Sequence, residues 1–314
     1  MGRHMLGRLL AVLPILFVVS FVAFMLLALN PVDPAEQLVG PTATDAQIDA
    51  RRHELGLDQP LMARYGDWLG DAVHGDLGRS VYTTAPVTSS LKDRAGVTLS
   101  LTLGGLLVAV AIGVPLGVAA ALRAGRRTDR LVTAGSTLGQ AIPSFWLGTI
   151  LVLVFAERWE VFNAVFYVSP GESLVGWLKS ITLPSIALGA TGAAWIARHT
   201  RSELVTVLEQ DYIQTALAKG ASRRQVLFGH AARNAAPPLL TVIAVLVSMI
   251  LGASLVIERV FALPGLGSLA LEAITRNDPA PLLGFVLCAV LIVVIVNVLL
   301  DIAHALLDPR VHRS

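Results

Sequence analysis

Cysteine and charge are scarce in this sequence. The 314-residue chain holds 1 cysteine, Cys288, so neither an intrachain disulfide nor a cysteine-based metal cluster can form. Charged residues make up 15% of the chain, whereas soluble domains usually carry about 25%. These shortages exclude a disulfide-stabilised secreted scaffold and argue against an ordinary soluble enzyme. Cys288 itself lies in an apolar stretch, where a small packing role is expected.

Catalytic and metal-binding motifs are also missing. The sequence contains no G-x-x-x-x-G-K-[ST] phosphate loop, no H-E-x-x-H, no G-x-S-x-G and no paired cysteines. The His53-Glu54 pair lacks the second histidine of a zinc-binding helix. We therefore predict no catalytic residue, no metal site and no cofactor in this chain, and no nucleic-acid partner. Because the chain has no P-loop, any ATP hydrolysis is expected from another subunit.

Apolar residues dominate instead. Hydrophobic residues make up 54% of the chain, and the mean hydropathy is +0.69. A stretch of about 18 or more apolar residues can cross a bilayer as a helix. The fourth stretch is short and rich in small residues, which allow a neighbouring helix to pack closely. We predict an all-α polytopic membrane protein with six transmembrane helices, over 9–29, 97–122, 131–156, 181–197, 236–257 and 282–300.

The distribution of charge orients these spans. The loops 123–130 and 198–235 are rich in arginine, whereas the segment 30–94, called the outer segment below, carries ten acidic residues against six basic ones. Because cytoplasmic loops are enriched in lysine and arginine, both loops are predicted to be cytoplasmic. Six spans then place the N-terminal residues 1–8 and the tail 308–314 in the cytoplasm. The first span is expected to be retained rather than cleaved as a signal peptide.

Two helices are predicted in the outer segment, over 45–55 and 61–73. One face of the second is formed by Leu61, Tyr65, Trp68, Leu69 and Val73. That face packs against the bundle or the lipid headgroups, or it docks a partner that delivers substrate. Aromatic residues of the loop 157–180 are expected to lie at the membrane interface. The turn-rich stretch 258–281 is expected to re-enter or cap the bundle.

Few ionisable groups are expected within the membrane. Asn297, Asp301 and His304 share one face of the sixth span through their i, i+4 and i+7 spacing. A proton or metal relay is one interpretation, and hydrogen bonding near the cytoplasmic interface is the favoured one. A gradient-driven carrier requires charged groups at mid-membrane, and a membrane enzyme requires clustered catalytic side chains. The sequence gives little support to either class.

The second basic loop has the features of a rigid unit. Residues 211–219 are predicted to form a short helix that Gly220 ends in the left-handed conformation. Ser222 then caps a second helix, and Gln225 completes a capping box. The Pro237-Pro238 pair is expected to open the next span. Such a unit can lodge in a groove of a partner and transmit a rigid-body push.

The stretch Gln214-Thr-Ala-Leu-Ala-Lys-Gly220 resembles the EAA loop of permease subunits from binding-protein-dependent ABC importers. Ala216 and Gly220 match the motif, whereas Gln and Thr take the places of its glutamate and of one alanine. The peptide and nickel branch of these permeases usually has T-A-x-A-K-G followed by H-A-x-R-N-A. The second part is present here as His230-Ala-Ala-Arg-Asn-Ala235.

Further segments resemble the same branch, in order and at its spacing. They are Asn30-Pro-Val-Asp-Pro34, Arg52-His-Glu-Leu-Gly-Leu-Asp-Gln-Pro60, Gly75-Asp-Leu-Gly-Arg-Ser80, Glu258-Arg-Val-Phe261, Pro264-Gly-Leu-Gly267 and Leu307-Asp-Pro-Arg310. The resemblance thus covers nearly the whole chain. The long outer segment resembles that of the first permease of a pair, the oligopeptide or dipeptide permease B type.

The resemblance implies the type I ABC importer permease fold, with a core permease domain over 95–307, in a bacterial inner membrane. It also implies a paralogous second permease, two cytoplasmic ATPase domains that bind ATP and Mg²⁺, and an extracytoplasmic solute-binding protein. Peptides are the expected substrate, with nickel chelates and glutathione as alternatives, and no substrate-lining residue is predicted. The residues expected to couple to the ATPases are Asp211, Gln214, Thr215, Ala216, Lys219, Gly220, Ser222, Arg223 and Arg224. The last two either pair with acidic ATPase groups or are simply solvated.

Overall fold

The computed structural model describes residues 2–29, 33–162 and 166–307, which are mostly helical. The chain divides into unit 1, Met1–Val97 with Pro264–Val294, and unit 2, Thr98–Leu263 with Ile295–Ser314. Short π-helical turns over Val152–Arg158 and Val226–Ala231 extend α7 and α10. The helices are α1 (Gly2–Ala28), α2 (Pro34–Val39), α3 (Asp45–Glu54), α4 (Leu61–Val73), α5 (Val87–Ala121), α6 (Arg127–Ala141), α7 (Ser144–Leu151), α8 (Leu174–Leu208), α9 (Asp211–Ala218), α10 (Arg223–Gln225), α11 (Ala232–Val260), α12 (Leu266–Thr275) and α13 (Pro279–Leu307).

Within the described ranges, 4 helices are long and apolar enough to cross a membrane. The bent pair of Arg127–Ala141 and Ser144–Arg158 brings the number to 5 if it counts as one span. Val12–Ala28, in α1, is a shorter apolar helix. The predicted spans 97–122, 181–197, 236–257 and 282–300 coincide with the long helices, which are Val87–Ala121, Leu174–Leu208, Arg223–Val260 and Pro279–Leu300.

The third predicted span, 131–156, is broken in the structure. Its two helices, α6 and α7, are bent by 91° relative to each other. Ile142, between them, has an extended backbone with φ −83° and ψ 118°, and Pro143 follows as the N-cap of α7. Proline disfavours the helical conformation in the residue before it, which explains the break. The apolar pattern of the sequence continues through this bend, so the bend was not predicted.

The Pro237-Pro238 pair does not open the fifth span, and that prediction was wrong. Both prolines lie inside α11, and the chain is helical from Arg223 to Val260. Each proline removes one backbone donor, but neighbouring groups in a membrane bundle can satisfy the carbonyl that is left. The second helix of the basic loop and the fifth span are therefore one continuous helix.

Small residues allow α5 and α8 to approach closely within unit 2. A Cβ atom on Gly113 would lie 2.7 Å from the carbonyl oxygen of Ala193. One on Gly189 would lie 2.5 Å from the carbonyl oxygen of Gly105. Only hydrogen fits at either position, so the two backbones are in near contact. The close packing predicted for the glycine-rich fourth span is confirmed.

The two helices predicted in the outer segment are present as α3 and α4. On α4, Tyr65 is buried with Phe24 and Leu283, and its hydroxyl lies 3.0 Å from the Oγ atom of Ser20. Val73 was predicted on the same face, but it is 78% exposed at the end of the helix. The contact favours packing of this face on apolar helices over a docking role.

Two further predictions concern the stretch 258–281 and the polar face of the sixth span. The turn-rich stretch 258–281 contains the helix α12, in which Leu266 and Leu269 are buried. The proposed polar face of the sixth span stays a prediction, because the side chains of Asp301 and His304 lie outside the described part of the chain.

One buried carboxyl was not predicted from the sequence. Glu258 is 0% exposed and accepts a hydrogen bond of 2.6 Å from Thr98.

Candidate functional site

The residues between α8 and α11, 209–234, form the coupling segment. α8 ends at Leu208, and α9 begins at Asp211 after two intervening residues. Ile213 holds α9 in place, because its side chain is 1% exposed. The amide of Gln214 reaches back to the carbonyl oxygen of Leu208, at 3.4 Å. The predicted first helix is therefore confirmed, and it ends at Ala218, one residue before the predicted end.

Gly220 ends α9 in the left-handed conformation, as predicted, with φ +88°. The N–H of Gly220 donates to the carbonyl of Leu217 at 2.9 Å, and the N–H of Ala221 donates to that of Ala216 at 3.1 Å. This pair of bonds is the Schellman motif, which satisfies the last carbonyls of a helix. A Cβ atom on Gly220 would meet nothing within 4 Å. The glycine is therefore required by backbone conformation and not by space.

The predicted capping box is also present. Ser222 is the N-cap of α10, and its Oγ atom accepts a hydrogen bond from the N–H of Gln225. The Gln225 side chain in turn accepts from the N–H of Ser222 at 2.8 Å. From there the π-helical turn leads into α11 without a break. The turn at Gly220 is therefore followed, through α10, by a membrane-length helix without a break.

Apolar contacts anchor this segment to unit 2. Leu227 and Ala231 of the π turn are buried in one cluster with Leu204 of α8 and Ala121 of α5. Partly buried valines of α5 and α8 pack on the same cluster. The segment therefore rests on the ends of two helices.

A polar contact, missed by the sequence analysis, ties α9 to α11. The Nδ2 atom of Asn234 donates to the hydroxyl of Tyr212 at 3.0 Å and to the carbonyl of His230 at 2.9 Å. The two side chains are 22 residues apart, so local spacing gave no signal for their contact. Asn234 nonetheless lies in the H-A-A-R-N-A stretch on which the resemblance rests.

An open groove runs along the coupling segment, with a volume of about 980 Å³. Its exposed apolar rings are Tyr212, 45% exposed, and Phe228, 68% exposed. Contiguous exposed apolar surface next to polar groups is typical of a site for a protein partner. Neither ring was predicted to belong to the site, although aromatic residues in a polar loop are a usable signal.

The groove brings together part of the predicted site. Its lining includes Thr215, Ala216, Lys219 and Gly220. The other predicted coupling residues lie outside that lining, and they are Asp211, Gln214, Ser222, Arg223 and Arg224. Arg223 and Arg224 are exposed to solvent. Both alternatives for these arginines therefore stay open.

An ion pair braces the helix that leads into the coupling segment. Arg201 of α8 donates from Nε to one oxygen of Asp129, at 2.7 Å, and from Nη2 to the other, at 2.8 Å. The N–H of Gly125 adds a third bond to the same carboxylate, at 2.8 Å. The side chain of Asp129 is 6% exposed and that of Arg201 is 33% exposed. Such bidentate pairs hold geometry well, so α6 and α8 are fixed to each other here.

A second groove of about 370 Å³ lies at the break between α6 and α7. Its mostly apolar lining contains Leu246, Met249 and Ile250 of α11. Polar or amphipathic side chains come from Gln140, Thr191 and Trp195. Among the described residues no three histidine, cysteine or acidic side chains lie close enough to hold a metal ion. What this groove offers is therefore a surface for a solute or for another helix.

The fold and the exposed coupling segment together define a membrane permease. A chain of the MetNI methionine ABC transporter, solved in inward facing conformations, shares the fold with a TM-score of 0.57. The match covers 69% of this chain and 96% of that one, at 19% identity. Identity this low shows the fold alone.

Family sequence profiles cover nearly the whole chain. The profile described as "Binding-protein-dependent transport system inner membrane component" matches residues 113–313, and its N-terminal counterpart matches residues 1–102. The chain belongs to this family, the permease subunits of ABC importers, which are not themselves ATPases. The predicted resemblance to the permeases of binding-protein-dependent ABC importers is thereby confirmed.

Relatives of known name match end to end. A Brucella suis protein named "Putative peptide transport system permease protein" is 39% identical over 312 residues, with 99% of each chain covered. A "Probable peptide ABC transporter permease protein" of Sinorhizobium fredii is 38% identical, with 99% of each chain covered. The glutathione transport system permease protein GsiC of Escherichia coli is 34% identical, again with 99% of each chain covered.

Proposed function

We propose that this chain forms half of the translocation pathway of an ATP-driven peptide importer. A paralogous permease supplies the other half, and two cytoplasmic ATPase domains bind ATP and Mg²⁺. An extracytoplasmic solute-binding protein delivers the substrate. The observation that carries the proposal is the open groove of the coupling segment, because its exposed ring Phe228 lies near the start of the unbroken helix Arg223–Val260, which is long and apolar enough to cross a membrane.

The proposed topology has six spans, with both termini in the cytoplasm of a bacterium. Two spans go beyond the four long helices: α1, and the bent pair Arg127–Ala141 with Ser144–Arg158. The charge pattern supports this orientation, because the arginine-rich loops 123–130 and 198–235 fall on one side of a six-span chain. The ATPases therefore meet the coupling segment on the cytoplasmic side.

The mechanism follows from the rigidity of the coupling segment. ATP closes the ATPase pair, and the partner surface seated in the groove moves with it. Because the Schellman turn and the capping box fix α9 and α10 at a single angle, that motion passes into α11 as a rigid-body tilt. The bundle then opens outward to receive solute, and ATP hydrolysis resets it. This chain supplies the lever and the path, and its partners supply the chemical energy.

Peptides are the proposed solute. The names of the Brucella and Sinorhizobium relatives support this class, and glutathione, named for the 34% relative, is itself a tripeptide. Nickel chelates are the alternative within the branch.

We propose that the translocation path runs along the groove at the α6–α7 break, where Trp195 and Thr191 would contact a peptide. Trp195→Ala is expected to raise the KM for uptake more than it lowers kcat.

The coupling role can be tested by site-specific photocrosslinking in the assembled complex. A benzophenone amino acid at Phe228, which is 68% exposed, is expected to crosslink to an ATPase subunit. The matched control is Val73 on α4, which is 78% exposed and lies in the outer segment. Crosslinking to the ATPase from position 73, or its absence from position 228, would overturn the proposal.

Substrate class is tested separately with the purified complex in vesicles. ATPase activity in the presence of the solute-binding protein is expected to rise with dipeptides, oligopeptides or glutathione. A rise with nickel chelates and with none of the peptides would transfer the chain to the alternative, while leaving the coupling result unchanged.

A further inference from the structure

A pocket of about 340 Å³ lies in unit 1. Its apolar lining comes from the end of α1, with Phe24 and Leu27. Its charged lining comes from the outer segment, with Asp33, Arg52 of α3 and Arg64 of α4. Neither the proposed ATPase coupling nor the proposed solute path uses these residues.

The two arginines differ in how they are satisfied. Arg52 donates from Nε to Asp33 at 2.5 Å and from Nη1 to Asp49 at 3.1 Å, so two of its three nitrogens are bonded to carboxylates. Arg64 lies over the ring of Phe24, with its Cζ atom 5.9 Å from the ring centroid. Among the described residues no carboxylate forms an ion pair with Arg64. Burial lowers the pKa of Arg64, and no carboxylate acts to raise it.

A half-buried guanidinium of this kind favours an oxyanion. Arginine presents five N–H donors in a planar fork that matches phosphate and carboxylate oxygens. The volume of about 340 Å³ corresponds to roughly ten water molecules at about 30 Å³ each. A phosphate group fits in that space with room for part of what it is attached to.

The surroundings indicate where the phosphate comes from. The apolar helix Val12–Ala28 ends at the pocket, and Leu26 and Leu29 beside it are 64% and 78% exposed. An exposed apolar helix end below a cationic pocket matches the two parts of a phospholipid, its acyl chains and its headgroup. We propose that the pocket binds the phosphate of a phospholipid headgroup through Arg64, with the acyl chains along α1. This lipid proposal rests on the proposed function, in which α1 crosses the membrane.

The test is native mass spectrometry of the purified importer complex, titrated with phosphatidylglycerol. The wild-type complex is expected to retain lipid on this chain. Arg64→Gln is expected to weaken the binding of phosphatidylglycerol about tenfold, because it removes charge-assisted hydrogen bonds to the phosphate. Arg64→Lys should fall between them, because it keeps the charge and loses the fork. The matched control is Arg51→Gln: Arg51 pairs with Glu54 at 2.6 Å and does not line the pocket.

Three outcomes would overturn the proposal. Equal lipid retention by wild type and Arg64→Gln removes Arg64 from the site. Equal loss in Arg51→Gln shows a general charge effect. Displacement of the lipid by millimolar inorganic phosphate identifies a free-anion site instead. The same spectra report whether the ATPase subunits are present, so failure of the lipid proposal is distinguishable from failure of the proposed function.

Discussion

The outer segment and the coupling segment both contain short helices, but they differ in how far their polar and aromatic side chains are buried. In the outer segment, the hydroxyl of Ser80 donates to the buried carboxylate of Asp278, within unit 1. In the coupling segment, the Tyr212–Asn234 contact is the single side-chain bond that joins α9 to α11 among the described residues. Phe228 is left mostly exposed.

The difference shows where a partner is needed. Apolar surface that a chain exposes beside an open groove is stabilised when another protein covers it. In the outer segment the ring of Tyr65 is buried, and the carboxylates of Asp33, Asp49 and Glu54 pair with arginines, whereas both exposed rings of the coupling segment line one open groove. The comparison supports the proposal that a partner protein binds at the coupling segment.

The largest expected effect is that of Gly220→Val. A β-branched residue at φ +88° adopts a conformation that costs about 1–3 kcal/mol, so the turn is expected to change its angle. Substrate-stimulated ATPase activity of the reconstituted complex should fall by about tenfold or more, with assembly preserved. Gly220→Asn is the control, because asparagine tolerates this conformation. Equal coupling in both variants would remove the turn from the mechanism.

Asp129→Ala should have the next largest effect, on stability. The substitution leaves the guanidinium of Arg201, which is two-thirds buried, without its carboxylate. We expect it to lower the free energy of unfolding by about 2–3 kcal/mol, somewhat less than breaking a fully buried pair. Thermal unfolding of the purified complex measures it. Breaking the exposed pair of Arg51 and Glu54 in the outer segment should cost less than about 1 kcal/mol. Similar costs for the two pairs would contradict the contrast in burial.

Tyr212→Phe should produce a moderate loss. It removes the hydroxyl that accepts from Asn234, a bond worth about 1 kcal/mol, and so loosens α9 relative to α11 about fivefold. Coupled ATPase activity is expected to fall a fewfold, while basal activity is unchanged. Tyr82→Phe in the outer segment is the control, and coupling that falls equally there would erase the comparison.

The smallest effect concerns pH and Asp278, which accepts a hydrogen bond from Ser80 of the outer segment. Burial raises the pKa of Asp278 above its ordinary value of 3.8, against the hydrogen bond from Ser80. Because the folded state then binds the proton more tightly, this contribution to stability is full below the unfolded pKa and is lost as pH rises through the folded one. Asp278→Asn should flatten the decline in apparent Tm from about pH 4 to neutrality, by about 2 °C. Parallel profiles for wild type and variant would show that the carboxyl does not titrate there.

Local rules predicted local structure well. The Gly220 turn, the Ser222 capping box and the two outer helices follow from residue types a few positions apart, and all are present. Contacts over long separations could not be predicted. Arg201 meets Asp129 across 72 residues, and Glu258 is buried beside Thr98, 160 residues away. Nothing in the spacing of one sequence indicates such pairs, because helix packing creates them.

The unbroken helix from Arg223 to Val260 has a mechanical consequence. Its 38 residues span about 57 Å at about 1.5 Å per residue, longer than a bilayer is thick. In the proposed mechanism, a rod of that length that tilts about a point inside the bilayer moves its inner and outer ends in opposite directions. One pivot can then close the bottom of a passage while opening its top, without any separate gate on either side.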